Sequence, residues 1–70
     1  MLRKVIKTKA GEYVLIDTRH TLDHGWESMV FRCDEDGDVF FYDEIDVAWY
    51  QSAVEAIVGH YDMVNKWKDK

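Results

Sequence analysis

The strand-like segments of this chain are apolar on both of their alternating phases, and this limits its folds more than any other feature. A sheet with one wet face alternates apolar and polar residues. Here Tyr13 and Leu15 oppose Val14 and Ile16, Trp26 and Val30 oppose Met29 and Phe31, and Val39 and Phe41 oppose Phe40 and Tyr42. A sheet built from these segments therefore needs cover on both faces. With 70 residues the chain makes one domain, whose folding buries only ~60% of the surface the unfolded chain exposes. The single Cys33 removes an intrachain disulfide, so a metal or a partner chain is the remaining support for so small a core.

Proline is absent, and Gly and Asp supply the punctuation. Gly11 predicts a turn between strands at about 2–8 and 13–18, because it tolerates the positive φ of a tight turn. A polar connection at 19–25 leads to a third strand at 26–33, and Asp34-Glu35-Asp36-Gly37 reads as the hairpin into a fourth at 38–42. Residues 43–50 are expected to form a loop. Ser52-Ala53-Val54-Glu55 is a capping box: the Ser52 hydroxyl accepts from the Glu55 N–H, whose carboxylate reaches back. It predicts a helix from about Ala53 to Lys68, with Lys66, Lys68 and Lys70 placed to complement its C-terminal dipole. The expected fold is α+β: an antiparallel four-stranded β-meander followed by one C-terminal α-helix packed on the sheet.

At ~100° per residue, Glu55, Gly59, Asp62 and Lys66 share one narrow polar stripe of that helix, and apolar residues cover most of the rest. One helix covers one face of a small sheet. The surplus predicts a homo-oligomer, a dimer or higher, with Trp26, Tyr50, Met63 and Trp67 as interface candidates. The competing reading folds the 43–51 segment over the second face.

A formal net charge of −5 argues against direct nucleic-acid binding, which requires a basic stripe to track phosphates. Acidic residues concentrate instead at Asp34, Glu35, Asp36, Asp38, Asp43, Glu44 and Asp46, a surface suited to a basic protein partner. The apolar run Val39–Tyr42 falls far short of the ~20 residues that span a bilayer. Met1-Leu2-Arg3-Lys4 is not followed by a signal-type apolar stretch, so no membrane association is expected and the chain reads as cytoplasmic.

Chemistry-bearing residues are few. His20, His24, Cys33 and His60 have the atoms for a zinc site but lack paired Cys-x-x-Cys spacing, so no metal or other cofactor is expected. Cys33 and His60 have the residue types of a nucleophile and base, but acidic neighbours disfavour the thiolate and catalysis is not expected. Asp34, Asp36 and Asp38 alternate like a calcium loop, but Gly37 comes too early and Ile45 stands where a bidentate Glu is required. The 19–25 connection gathers hydrogen-bond donors. Arg19, His20, His24 and Glu27, with Arg32 and His60, are the candidate site for a small anionic ligand of nucleotide type. Gly59 costs about 1 kcal/mol against Ala inside a helix, which points to close packing of another group there.

Two stretches resemble a family of small proteins from tailed bacteriophages and prophages: Asp23-His24-Gly25-Trp26-Glu27-Ser28-Met29-Val30-Phe31, and Tyr50 through Glu55-Ala56, Gly59-His60 and Met63-Val64-Asn65-Lys66-Trp67. In that family a G-W-E-[ST]-M-V-F strand precedes an acidic turn and an E-A-x-x-G-H helix. The resemblance covers residues 23–67. It implies a phage origin, hence the host cytoplasm, and a shared structural or binding role for Glu27, Tyr50, Gly59 and His60. The expected function is a non-enzymatic counter-defence factor, sequestering a nucleotide signal or occluding a host defence protein. The alternatives are a phage structural or assembly accessory and a minor hydrolase or metal-binding protein.

Overall fold

The computed structural model describes every residue from Met1 to Lys70. Four antiparallel strands, β1 (Leu2–Lys7), β2 (Tyr13–Thr21), β3 (Gly25–Cys33) and β4 (Asp46–Tyr50), lie side by side in chain order, followed by the helix α1 (Ala53–Lys68). This is the expected α+β meander with one C-terminal helix on the sheet. Gly11, at φ +87°, closes the first turn, where the Thr8 N–H donates to the Glu12 carbonyl at 2.7 Å. β2 runs on through Thr21, which pairs with Gly25. The polar connection expected at 19–25 thus contracts to a tight turn at Leu22–His24.

The fourth strand is not where alternation placed it. Asp38–Tyr42 makes a single bridge to the sheet, Cys33 with Val39, and the sheet is completed by Asp46–Tyr50, expected to be a loop, which pairs with β3 from Val30↔Asp46 to Trp26↔Tyr50. The helix selects this segment. Beneath α1 the strand presents Ala48, small enough to pack against the core, and Asp46, whose carboxylate accepts from Lys66 Nζ at 2.7 Å and Trp67 Nε1 at 3.0 Å. Val39-Phe40-Phe41-Tyr42 would put bulky side chains in that space, and its strong strand propensity yields to packing.

Two cores flank the sheet. On the helix side Ile6, Val14, Ile16 and Val30 meet Met63 and Val64. On the other side Leu15, Phe31 and Cys33 pack with Val5, Tyr13, Met29 and Val39. The chain between β3 and β4 lies over this second core. Val39 rests on it, Tyr42 meets Phe31 edge-on at 5.6 Å, and Gly37 approaches Val5 so closely that a Cβ would stand 2.9 Å from its Cγ2. Cover over that face therefore comes from residues 34–45, not from the 43–51 segment.

Ser52 caps α1 as expected, its Oγ accepting from the Glu55 N–H at 3.1 Å. The Glu55 carboxylate reaches one residue further back than a capping box requires, accepting from the Gln51 N–H at 3.0 Å. Ala56, His60, Met63 and Val64 are the buried face of the helix. Three of the four interface candidates thus serve the chain's own interior: Met63 lies in the core, Trp67 packs on it and bonds Asp46, and Tyr50 lies under Gly59. Trp26 is half-buried. The apolar residues that α1 leaves to solvent are Val54, Ile57, Val58 and Tyr61.

Candidate functional site

Strand alternation scatters the predicted ligand set. Arg19 and His20 are consecutive in β2, so they project from opposite faces. Arg19 lies on the outer face, across from Glu27 in the register, and its guanidinium pairs with Asp17. His20 stands edge-on to Trp26 at 5.0 Å, and His24 is exposed in the β2–β3 turn. Arg32, exposed on β3, pairs with Glu12. Two of the set are buried, His60 on the helix side and Glu27 on the outer face. Cys33 belongs to the outer core and His60 to the helix side, so the sheet separates these two residues. Burial first, and then the charges of Asp34 and Asp38, push the Cys33 thiol up and disfavour its thiolate. No three His, Cys, Asp or Glu side chains converge in a way that would hold a metal ion.

Sequence reasoning missed a buried polar chain between helix and sheet. The Tyr50 hydroxyl donates to Ser28 Oγ at 3.0 Å, the Ser28 and Thr18 hydroxyls are bonded to each other, and Thr18 Oγ1 lies 2.7 Å from His60 Nδ1. Only one direction gives every hydroxyl proton an acceptor: Tyr50 to Ser28, Ser28 to Thr18, Thr18 to His60 Nδ1. His60 is then the neutral tautomer protonated at Nε2. Burial lowers its pKa, against a weaker opposing pull from Asp17. Gly59 makes the arrangement possible, because the Tyr50 ring occupies the space a Cβ would need. The local signal was Gly59 itself; Thr18 and Ser28 each follow a charged residue, Asp17 and Glu27, and nothing beside them sets them apart.

On the outer face Asp17 and Glu27 are both buried. The Asp17–Arg19 pair leaves Asp17 Oδ1 and Arg19 Nε without a protein partner.

The predicted acidic surface is present in part. Asp34 and Asp46 are structural: Asp34 Oδ1 accepts from the N–H groups of Asp36 and Asp38 at 2.9 and 3.0 Å. Asp46 holds Lys66 and Trp67. Burial favours its protonated form, but the bonds from Lys66 and Trp67, the Lys66 charge and the Val47 amide outweigh this and keep its pKa below the usual carboxylate range. Glu35, Asp36, Asp38, Asp43 and Glu44 are exposed, and none is ion-paired within the chain. Among them stand Phe40, Phe41 and Tyr42, 60%, 74% and 79% exposed. Main-chain bonds hold both ends of the aromatic 40–45 stretch, from Phe40 N–H to the Arg32 carbonyl at 3.1 Å and from Ile45 N–H to the Val30 carbonyl at 2.8 Å.

No protein-family model, curated protein or solved structure matches this chain. No helix is long and apolar enough to cross a membrane.

Proposed function

We propose that this chain is a non-enzymatic binding protein, a phage counter-defence factor that occludes the basic, nucleic-acid-facing surface of a host protein with its 34–45 loop. One observation carries this reading: unpaired acids flank a run of exposed aromatics whose two ends are tied to β3. Acids alone would serve solubility. Large aromatics left wet among them are the composition of an interface, where ring burial supplies affinity and charge supplies steering and selectivity. An anchored loop also loses less conformational freedom on docking. The resemblance to phage proteins is what makes a host target the natural one.

The test is capture of a DNA-binding host protein followed by competition. Duplex DNA must displace the chain from its target. Neutralising Asp36, Asp38, Asp43 and Glu44 together must weaken binding in a salt-dependent way, whereas Phe41→Ala must weaken it at every salt concentration. Binding that ignores both changes, or that persists alongside saturating DNA, sinks the proposal.

A second copy of the chain is the proposed occupant of the exposed helix stripe. Val54, Ile57, Val58 and Tyr61 follow the i, i+3, i+4, i+7 pattern of a helix seam. The stripe is continuous with an apolar cleft of about 200 Å³ lined by Met1, Leu2, Trp26, Ala53 and Ile57. Antiparallel pairing about a two-fold axis between Ile57 and Val58 sets each Tyr61 against the other copy's Val54. Sedimentation should find a dimer that Ile57→Glu with Val58→Glu converts to a folded monomer. A monomeric parent chain overturns this arrangement.

A further inference from the structure

The structure assigns a second binding site, separate from the loop: the cleft between the β1 edge and α1, into which His60 opens, takes a small phosphate ester of mononucleotide size. This cleft encloses about 300 Å³; Leu2, Arg3 and Lys4 line it from the edge strand, and His60, Asn65 and Lys68 are among the residues that line it from the helix. That volume lies at the lower end of small-molecule pockets.

Three observations converge on an anion. Lys4 comes from the strand wall and Lys68 from the helix wall, and neither has an ion-pair partner; Arg3, Lys7 and Lys70 are also unpaired, but of these only Arg3 borders the cleft. In a chain of net charge −5, two free ammonium groups flanking one cleft make a local positive potential. Asp17, whose charge reaches His60, lies on the opposite face of the sheet and is paired with Arg19, and acids beyond the ~8 Å screening length of physiological salt contribute little.

The second observation is His60. The residue is only 3% exposed and its Nδ1 is taken by Thr18. Nε2 has no partner in the chain, yet it is not among the sealed, unpartnered side-chain atoms, which are Asp17 Oδ1 and Arg19 Nε alone. It therefore reaches an opening, and this is the only cleft that His60 lines. The hydroxyl chain from Tyr50 through Ser28 and Thr18 puts the proton on Nε2, so the ring presents a fixed donor from the floor of the cleft. A donor oriented by buried groups suits a phosphoryl oxygen, because no reorganisation is needed when the ligand arrives.

The third is the Asn65 amide, on the same helix wall as Lys68, which supplies a donor and an acceptor for a sugar hydroxyl or the edge of a base. The lysines and His60 thus take the phosphate while Asn65 takes the remainder.

The test is a solution titration of the full chain with adenosine 5′-monophosphate, ribose 5-phosphate, inorganic phosphate and adenosine, following the His60 Nε2 and Hε1 resonances. The expected result is a saturable shift with the first two, a weaker one with phosphate and none with adenosine. Lys4→Gln with Lys68→Gln, both exposed and free to change without touching the core, should weaken the monophosphate by at least ~10-fold, the scale of losing charge-assisted contacts. The charge-matched pair Lys7→Gln with Lys70→Gln should leave it unchanged. No saturable shift with any phosphate compound, a response to adenosine equal to that of its phosphate, or equal losses in the two charge variants would each overturn the assignment. None of these outcomes bears on the loop, whose own test is competition with DNA.

Discussion

Replacing Gly59 by Ala should destabilise this protein, although helix propensity alone predicts the opposite. In a free helix the change contributes about 1 kcal/mol in favour of folding. Here the new Cβ would fall deep inside van der Waals contact with Cε1 and Cζ of Tyr50, and 2.5 Å from its hydroxyl oxygen. Tyr50 sits in the edge strand, so the ring has a way out, but leaving breaks its 3.0 Å bond to the fully buried Ser28. Ser28 keeps its bond to Thr18, but its buried oxygen loses a donor at a cost of about 1–3 kcal/mol, and a ring that stays forces neighbouring atoms apart at a similar cost of about 1–3 kcal/mol. Either route offsets the propensity gain or exceeds it, giving a net loss of up to about 2 kcal/mol. For a domain of this size that is a fall of up to roughly 16 °C in Tm. The decisive assay is a double-mutant cycle by denaturant unfolding. With Tyr50→Ala already present the clash is gone, and Gly59→Ala should then stabilise by up to about 1 kcal/mol. The reasoning is refuted if Gly59→Ala has the same sign in both backgrounds.

Three other perturbations probe the polar framework. Thr18→Val removes the middle of the hydroxyl chain and strands the Ser28 proton and His60 Nδ1; it should cost about 1–3 kcal/mol and be strongly non-additive with Ser28→Ala in unfolding experiments. Ser52→Ala removes the helix cap and should cost about 1 kcal/mol, with amide exchange accelerating first at Glu55 and its neighbours. Acid should weaken the fold in two stages. His60 has a depressed pKa in the native state, so its contribution is complete above its unfolded value of ~6.5 and is lost as pH falls from there through the folded value. Asp46 is also depressed, so its contribution is lost below ~3.9, as pH falls through its own folded value. Urea midpoints measured against pH should show both limbs, and Asp46→Asn should flatten the lower one while leaving the upper.

The features legible in the sequence were those fixed by neighbours along the chain. The Ser52 cap and the Gly11 turn depend on residues within four positions, and the helix from Ala53 to Lys68 appears as expected. The fourth strand was misplaced because its position depends on distant residues. Val39–Tyr42 has the stronger local preference, but only Asp46–Tyr50 offers Ala48 beneath the helix and a carboxylate for Lys66 and Trp67. The candidate ligand residues of 19–25 are dispersed for a related reason. A segment of Arg, His and Thr reads as a loop, yet as a strand it sends Arg19 and His20 to opposite faces. Nothing local marks Thr18, Ser28, Tyr50 and His60 as connected, since they come from three strands and a helix. Gly59 alone hinted that something must lie against α1.

The apolar surplus that pointed to self-association divides in two once the path of the chain is known. One part is the outer face of the sheet, and there residues 34–45 do the covering: Val39 lies on the outer core, Tyr42 meets Phe31, and Gly37 closes over Val5. The same segment that seals this face turns Phe40, Phe41 and the unpaired acids outward, so its cover and its binding surface are opposite sides of one loop. A change that loosens the inner side must therefore blunt the outer one. Gly37 holds φ +87° and has no room for a Cβ against Val5, so Gly37→Ala should lift the loop and weaken target binding without removing any contacting side chain. The other part of the surplus is the helix stripe from Val54 to Tyr61, which no segment of the chain reaches. Disrupting dimerisation at Ile57 and Val58 should leave the loop's affinity for its target intact, because the sheet stands between the two surfaces.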